Sequence, residues 1–198
     1  MSLANAAAVV RLGRRTIRFP RPRGSAAAIV AAARALPGVV DVVVTAAFVA
    51  LHYESEPPPS APTLDLGHTN ASPRTHLLDV HYDGEDLAAV AARIGKTPRD
   101  VVRLHSATAY EVAFIGCLPG FAYLDGLAPE LVVPRRDSPR LRVPAGSVAI
   151  GGPYAGVYPF ASPGGWHLLG RLASLVPVWD DDGPRLAPGD RVCFREAW

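Results

Sequence analysis

Residues 144–172 read PAGSVAIGGPYAGVYPFASPGGWHLLGRL. Three β-prone runs, Ser147–Ile150, Val157–Pro159 and Trp166–Leu172, are parted by clusters of Gly and Pro. Each run is too short for a helix, and each break carries residues that turn the chain. The same rhythm extends in both directions. Upstream lies Tyr110–Ile115; downstream lie Val176–Trp179 and Arg191–Phe194. Many short strands with frequent turns predict an all-β barrel or sandwich for the C-terminal part.

The segment before this β region predicts a strand at His76–Tyr82, a turn at Asp83-Gly84 and a helix over Asp86–Ile94 closed by Gly95. A second helix follows. Thr97 is its cap, Pro98 its first residue, and Asp100 stands three residues after the cap. Further upstream, Thr16–Phe19 alternates as a strand. Ala26–Leu36 is Ala-rich and predicts a helix stopped by Pro37-Gly38, and Val39–Thr45 with Phe48–Tyr53 predicts two closely joined strands. Strand, helix, strand, strand suggests part of a ferredoxin-like layer. Between the two parts lies a Pro-rich stretch, with Pro57, Pro58, Pro59 and Pro62, read as a linker over about residues 54–75. The expected organisation is α+β. A small N-terminal ferredoxin-like α/β domain spans 1–75, and a helical connection with a β domain spans 76–198.

At 198 residues, 49% hydrophobic and 19% charged, the chain can bury a core without staples and is not disordered. Its net charge of +2 speaks against a nucleic-acid partner. No stretch is apolar over the roughly 20 residues a membrane span needs, so no membrane partner and a cytoplasmic location are expected. Cys117 and Cys193 are far apart and form no zinc or disulfide pattern. The histidines lack metal-ligand spacing, so no metal site is expected. Gly95-Lys96-Thr97 resembles the tail of a phosphate-binding loop, but the required earlier Gly is Val90; a helix stop followed by a helix cap accounts for it.

Two strings carry candidate chemistry. Residues 116–127 contain Pro119, Gly120, Phe121 and Tyr123; residues 158–171 contain Tyr158, Ser162, Gly164, Gly165 and Trp166. Rigid Gly/Pro loops presenting aromatics suit a small-molecule site, although a purely structural tight turn fits equally well. Arg135, Arg136, Arg140 and Arg142 place four guanidinium groups within eight residues among prolines. Such a segment suits a carboxylate or a phosphate, or else a solvated loop.

From Val80 to Phe194 these motifs together resemble the B-type component of prokaryotic 5-oxoprolinase, a family also called KipI or allophanate hydrolase subunit 1. The resemblance rests on Tyr82-Asp83-Gly84-Glu85-Asp86-Leu87, Leu104-His105-Ser106, Pro119-Gly120-Phe121-Ala122-Tyr123-Leu124 and Val133-Pro134-Arg135-Arg136. It continues through Pro139-Arg140-Leu141-Arg142-Val143-Pro144-Ala145-Gly146-Ser147-Val148, Tyr158-Pro159, Ser162-Pro163-Gly164-Gly165-Trp166 and Pro188-Gly189-Asp190-Arg191-Val192. Where Cys117 stands, the family usually has an aromatic. The resemblance implies a cyclophilin-like β-barrel for the second domain. It implies a partner C-type (KipA-like) subunit and an A-type subunit of the lactam-utilisation kind. It also implies ATP with Mg for the assembled complex, which hydrolyses 5-oxoproline, or an allophanate-type amide; the chain alone is expected to be inactive. Under it, His105 is the candidate acid or base, and Arg140 and Arg142 are candidate anion holders. Phe121, Tyr123, Tyr158 and Trp166 would wall the pocket with Pro119, Gly120, Gly164 and Gly165, and Ser147 and Ser162 would supply hydrogen bonds. The competing reading is a KipI-like inhibitor of a sensor histidine kinase. A prolyl isomerase is suggested only by the barrel.

Overall fold

The computed structural model describes residues 9–67, 73–176 and 178–197. The chain divides into two compact units, 1–72 and 73–198.

In the first unit, β1 (Val10–Arg11), β2 (Thr16–Pro20), β3 (Val39–Val44) and β4 (Phe48–Tyr53) form an antiparallel sheet in the order β1-β2-β4-β3, with one helix, α1 (Ala26–Arg34). Alternate residues of β2 and β4, namely Ile17, Phe19, Val49 and Leu51, point inward and meet Ile29 and Ala33 of α1. Ser25 caps that helix, its Oγ accepting the Ala28 N–H at 3.2 Å. The helix stops at Arg34, short of the expected Leu36. A ferredoxin-like layer carries two helices; the described residues of this unit carry one. The Pro-rich stretch has no regular structure up to Gly67, yet it is not a free tether: Ala61, Leu64 and Leu66 pack onto this unit's core.

The second unit begins with β5 (Thr75–His81), α2 (Leu87–Arg93), α3 (Pro98–Ser106), β6 (Ala109–Ile115) and β7 (Ala122–Asp125). It continues with β8 (Arg140–Val143), β9 (Ser147–Gly151), β10 (Tyr154–Val157), β11 (Ser162–Gly164) and β12 (His167–Leu172). It ends with β13 (Trp179–Asp180), β14 (Gly183–Pro184) and β15 (Arg191–Glu196). Seven strands close a barrel in the order β10-β7-β6-β15-β5-β12-β9, β9 pairing back to β10. Closure leaves the barrel without an open sheet edge. Leu78, Val80, Tyr110, Val112, Leu124, Val148, Ile150, Leu169, Val192 and Phe194 fill the interior. Outside the barrel, β8 pairs with β11 and β13 with β14.

Local signals explain the helices. Thr97 and Asp100 form a reciprocal capping box at the start of α3, where Pro98 costs no hydrogen bond. Asp86 stands at the N-cap of α2, but its carboxylate makes no capping bond; it is engaged elsewhere, as shown below. The strand expected at Val157–Pro159 lies instead at Tyr154–Val157, because Gly156 and Ala155 pair with β9. Among the described residues no helix is long and apolar enough to cross a membrane.

Candidate functional site

The loop before β7, the ends of β10 and β11 and the 135–139 segment surround one cleft of about 240 Å³. It is lined by Phe121, Tyr123, Tyr158, Gly164, Gly165 and Trp166, together with Cys117, Arg135, Pro139 and Pro163. Phe121 is the hub of its wall. Its ring centroid lies 5.2 Å from each of Tyr123, Tyr158 and Trp166, always edge to face. That geometry is the favoured one for aromatic pairs and fixes the rings without stacking them over the opening. Tyr123 is also stacked on Phe114 at 4.3 Å. Above Trp166 lies the Arg135 guanidinium, 5.6 Å from the ring centroid, a cation over a π face.

Glycine permits this closeness. A Cβ on Gly151 would lie 2.8 Å from Trp166 Cγ, and one on Gly164 would collide with the Tyr158 hydroxyl. Burial raises the Tyr123 and Tyr158 hydroxyls above the usual tyrosine value, partly opposed by Arg135 and, at Tyr158, by a backbone hydrogen bond at Trp166. Both therefore stay protonated and can donate or accept hydrogen bonds. The cleft thus offers flat apolar walls, two neutral hydroxyls, one thiol and one guanidinium. None of its described lining residues is a carboxylate or an imidazole, so these residues give the cleft no ordinary general base of its own.

The remaining candidates lie elsewhere. Gly120, with φ of +72°, is covered by Trp179, and it and Pro119 shape the turn behind the cleft wall rather than lining it. The Ser147 and Ser162 hydroxyls are turned to the carbonyls of Pro144, at 2.8 Å, and Pro163, at 3.2 Å. Arg142 is exposed on β8 and does not reach the cleft. Arg140 is committed to Asp86 at 2.9 Å and Glu85 at 3.1 Å. Burial pushes the Asp86 carboxyl up, but the Arg140 hydrogen bond, the Leu168 N–H and the charges of Arg140 and Arg136 outweigh it and hold it below the usual range.

The structure places His105, the expected acid or base, away from the cleft. The side chain is fully buried on the inner face of α3, among Tyr82, Tyr110 and Phe194. Its Nδ1 meets the Tyr82 hydroxyl at 2.8 Å, and Nε2 has no partner among the described residues. Burial pushes its pKa down to about 3, so the ring is neutral and out of reach of the cleft. Sequence adjacency to Ser106 gave no hint of this; the position is set by which face of α3 meets the barrel. Conversely, Cys117 lines the cleft without having been expected there, and Arg135 lines it as one member of the expected anion-binding segment. Arg135 stood in the Arg-rich run, and Cys117 at a place where its relatives differ.

Gly95 ends α2, and Thr97 Oγ is spent on the Asp100 cap, so no phosphate cradle is formed there. Among the described residues, no three His, Cys, Asp or Glu side chains are grouped to hold a metal ion.

A family model described as "Carboxyltransferase domain, subdomain C and D" matches residues 2–188. The chain is similar to the B-type component of 5-oxoprolinase from Escherichia coli O157:H7, 54% identical over 112 residues, which are 56% of this chain and 51% of that protein. It therefore spans about half the length of this curated relative. Among solved structures, that of TTHA0988 superposes with a TM-score of 0.75 at 34% identity, covering 93% of this chain and 40% of that one. A conserved uncharacterised protein of Pyrococcus horikoshii superposes with a TM-score of 0.58 at 27% identity, covering 96% of this chain and 97% of its own.

Proposed function

This chain belongs to the family of carboxyltransferase domains, subdomain C and D, and from that premise we propose that it is the B-type subunit of an ATP-dependent amide hydrolase. Its aromatic cleft receives a small cyclic amide such as 5-oxoproline. The observation that carries this reading is the cleft itself, where Phe121, Tyr123, Tyr158 and Trp166 wall about 240 Å³ beneath Arg135. The amide plane of a lactam can lie against an aromatic ring. Its carbonyl accepts a hydrogen bond, which a protonated Tyr123 or Tyr158 can donate, and Arg135 can hold an attached carboxylate.

On this reading the chain is inactive alone, and the geometry supplies a reason. An amide is a poor electrophile, and its hydrolysis needs a nucleophile, a proton acceptor and an activated oxygen. The cleft walls supply binding and orientation, while the groups for ATP and for the proton come from C-type and A-type partner subunits.

The test is reconstitution. The chain is co-expressed with C-type and A-type subunits and purified by a tag on this chain, and ATP hydrolysis is measured with and without 5-oxoproline. The expected result is turnover that requires all subunits and the lactam. A stable complex whose ATP turnover ignores both 5-oxoproline and allophanate would overturn the substrate assignment. Failure to form any complex would overturn the subunit assignment.

A further inference from the structure

On the other side of the Arg135–Pro139 segment lies a second recess, of about 350 Å³. Its walls are Arg93 at the C-terminal end of α2, Pro134, Arg135, Arg136, Asp137 and Ser138 of the connecting loop, and His167 at the start of β12. We propose that this recess binds the phosphate group of a small molecule. The proposal does not rest on the amide reading: of the described lining residues only Arg135 belongs to both the recess and the aromatic cleft, where it serves one anion at a time, and Arg93 and Arg136 belong to the recess alone.

Charge is the first argument. Three arginines line the recess, and among the described residues only one of them has its charge answered by a carboxylate. Arg136 is paired with Asp86 at 2.9 Å. Arg93 and Arg135 have no carboxylate partner among the described residues; Arg135 lies over Trp166 instead. Two arginines without a carboxylate partner at one concavity match a phosphate dianion better than a monoanionic carboxylate, and each fork can give two parallel donors.

Preorganisation is the second. The loop that carries the recess is held at two points near its start. The Arg136 N–H donates to the Gly165 carbonyl at 2.8 Å, and the His167 ring meets the Pro134 carbonyl at 3.0 Å. A carbonyl can only accept, so Nε2 of His167 is the donor in that bond. The Nε atom of Arg136 is buried with no partner among the described residues, which leaves a donor of this side chain unused beside the recess. Asp137 is the one acidic group among the described lining residues; it disfavours a loosely held anion and sets a geometric demand that the forks must meet.

The experiment uses the full chain at low, constant ionic strength. Inorganic phosphate is titrated by calorimetry and by following the arginine Nε–H signals in NMR spectra, with sulfate and acetate as parallel arms. The expected result is saturable binding of phosphate and sulfate, at least about tenfold tighter than acetate, with shifts at Arg93, Arg135 and Arg136. Arg93→Met and Arg135→Met are surface changes that leave the circular dichroism spectrum intact. Each should weaken phosphate at least about tenfold, whereas Arg103→Met, which lies outside the recess, should not. Acetate binding as tightly as phosphate would overturn the assignment to phosphate. So would phosphate affinity left unchanged in both recess variants, or the absence of saturable binding.

Discussion

Asp86 and Arg140 meet at 2.9 Å, although 54 positions separate them in the chain. Asp86 is the hub of a clamp. One carboxylate oxygen accepts from Arg136 and Arg140, and the other accepts the Leu168 N–H at 2.7 Å. The Asp86 N–H returns a bond to the Leu168 carbonyl at 3.1 Å. The start of α2, the strand β8, the 134–139 loop and the strand β12 are thereby tied at one point. A buried carboxylate with two charged donors and one backbone donor leaves little of its hydrogen-bonding capacity unmet.

Asp86→Asn should therefore cost stability rather than chemistry. Removing the Asp86 charge leaves Arg136 without a carboxylate partner and leaves Arg140, only 15% exposed, with the exposed Glu85 alone. The loss expected is about 3 kcal/mol. Urea unfolding should show a lower midpoint with an unchanged slope. Arg140→Met should lose less, since Arg136 and the Leu168 N–H still hold the carboxylate.

Acid should unfold the protein in two distinguishable ways. The Asp86 carboxyl lies below its ordinary value, so its contribution is complete above about pH 4 and fades as pH falls toward the folded-state value. The stability gap between wild type and Asp86→Asn should thus be flat from about pH 5 to 7 and shrink below about pH 4. His105 acts at higher pH. Its folded value is about 3, so below about pH 6.5 the unfolded chain takes up a proton that the folded chain refuses. Stability then falls with decreasing pH, with a limiting slope of about 1.4 kcal/mol per unit. His105→Gln should flatten that slope between pH 6 and 4.5 (about the middle of the window), and reconstituted turnover per folded complex should be unchanged.

Gly84→Ala should prevent normal packing. A Cβ there would strike the Leu168 carbonyl and the Gly170 amide, which are backbone atoms of a barrel strand and cannot swing aside. The expected loss is about 3 kcal/mol or more, read from the thermal midpoint of the purified variant or from its failure to accumulate. Gly95→Ala, with open space around it but φ of +67°, should cost only about 1 kcal/mol.

Cys117 is a non-glycine residue at φ of +68°, on the rim of the aromatic cleft. Left-handed backbone costs an L-residue about 1–2 kcal/mol, and glycine avoids that cost. Cys117→Gly should be at least as stable as wild type, whereas Cys117→Val should lose about 1 kcal/mol or more, because a β-branched side chain crowds that conformation. Chemical denaturation of the three proteins side by side checks the order.

How far the chain could be read in advance depended on distance along it. The capping box of Thr97 and Asp100 spans three residues, and the helix it opens was legible because its cause is local. The same holds for β3 and β4, whose residues favour strand wherever they sit. By contrast, β7 is only four residues long, and β8 and β11 are short and rich in Arg, Gly or Pro; all three become strands only when a neighbour pairs with them. Six residues picked from the two Gly/Pro strings line one cleft because aromatics on rigid loops must be buried against something. His105 and Arg140 carry the side chains one would choose for chemistry, but a pattern of residue types does not say which face of a helix or strand turns to the core.

Residue order and composition alone thus determined that this chain builds a small α/β unit followed by a β-rich one, with aromatic Gly/Pro loops as its most constrained segments. Those outcomes follow from propensity, capping and alternation, which act within a few residues. Barrel closure, the burial of His105 and the capture of Arg140 by Asp86 were decided only in three dimensions. So was the division of the arginines, with Arg135 at the cleft and Arg140 in the clamp. Each depends on which distant backbone arrives beside it, and a buried charge or ring is held where its partners are.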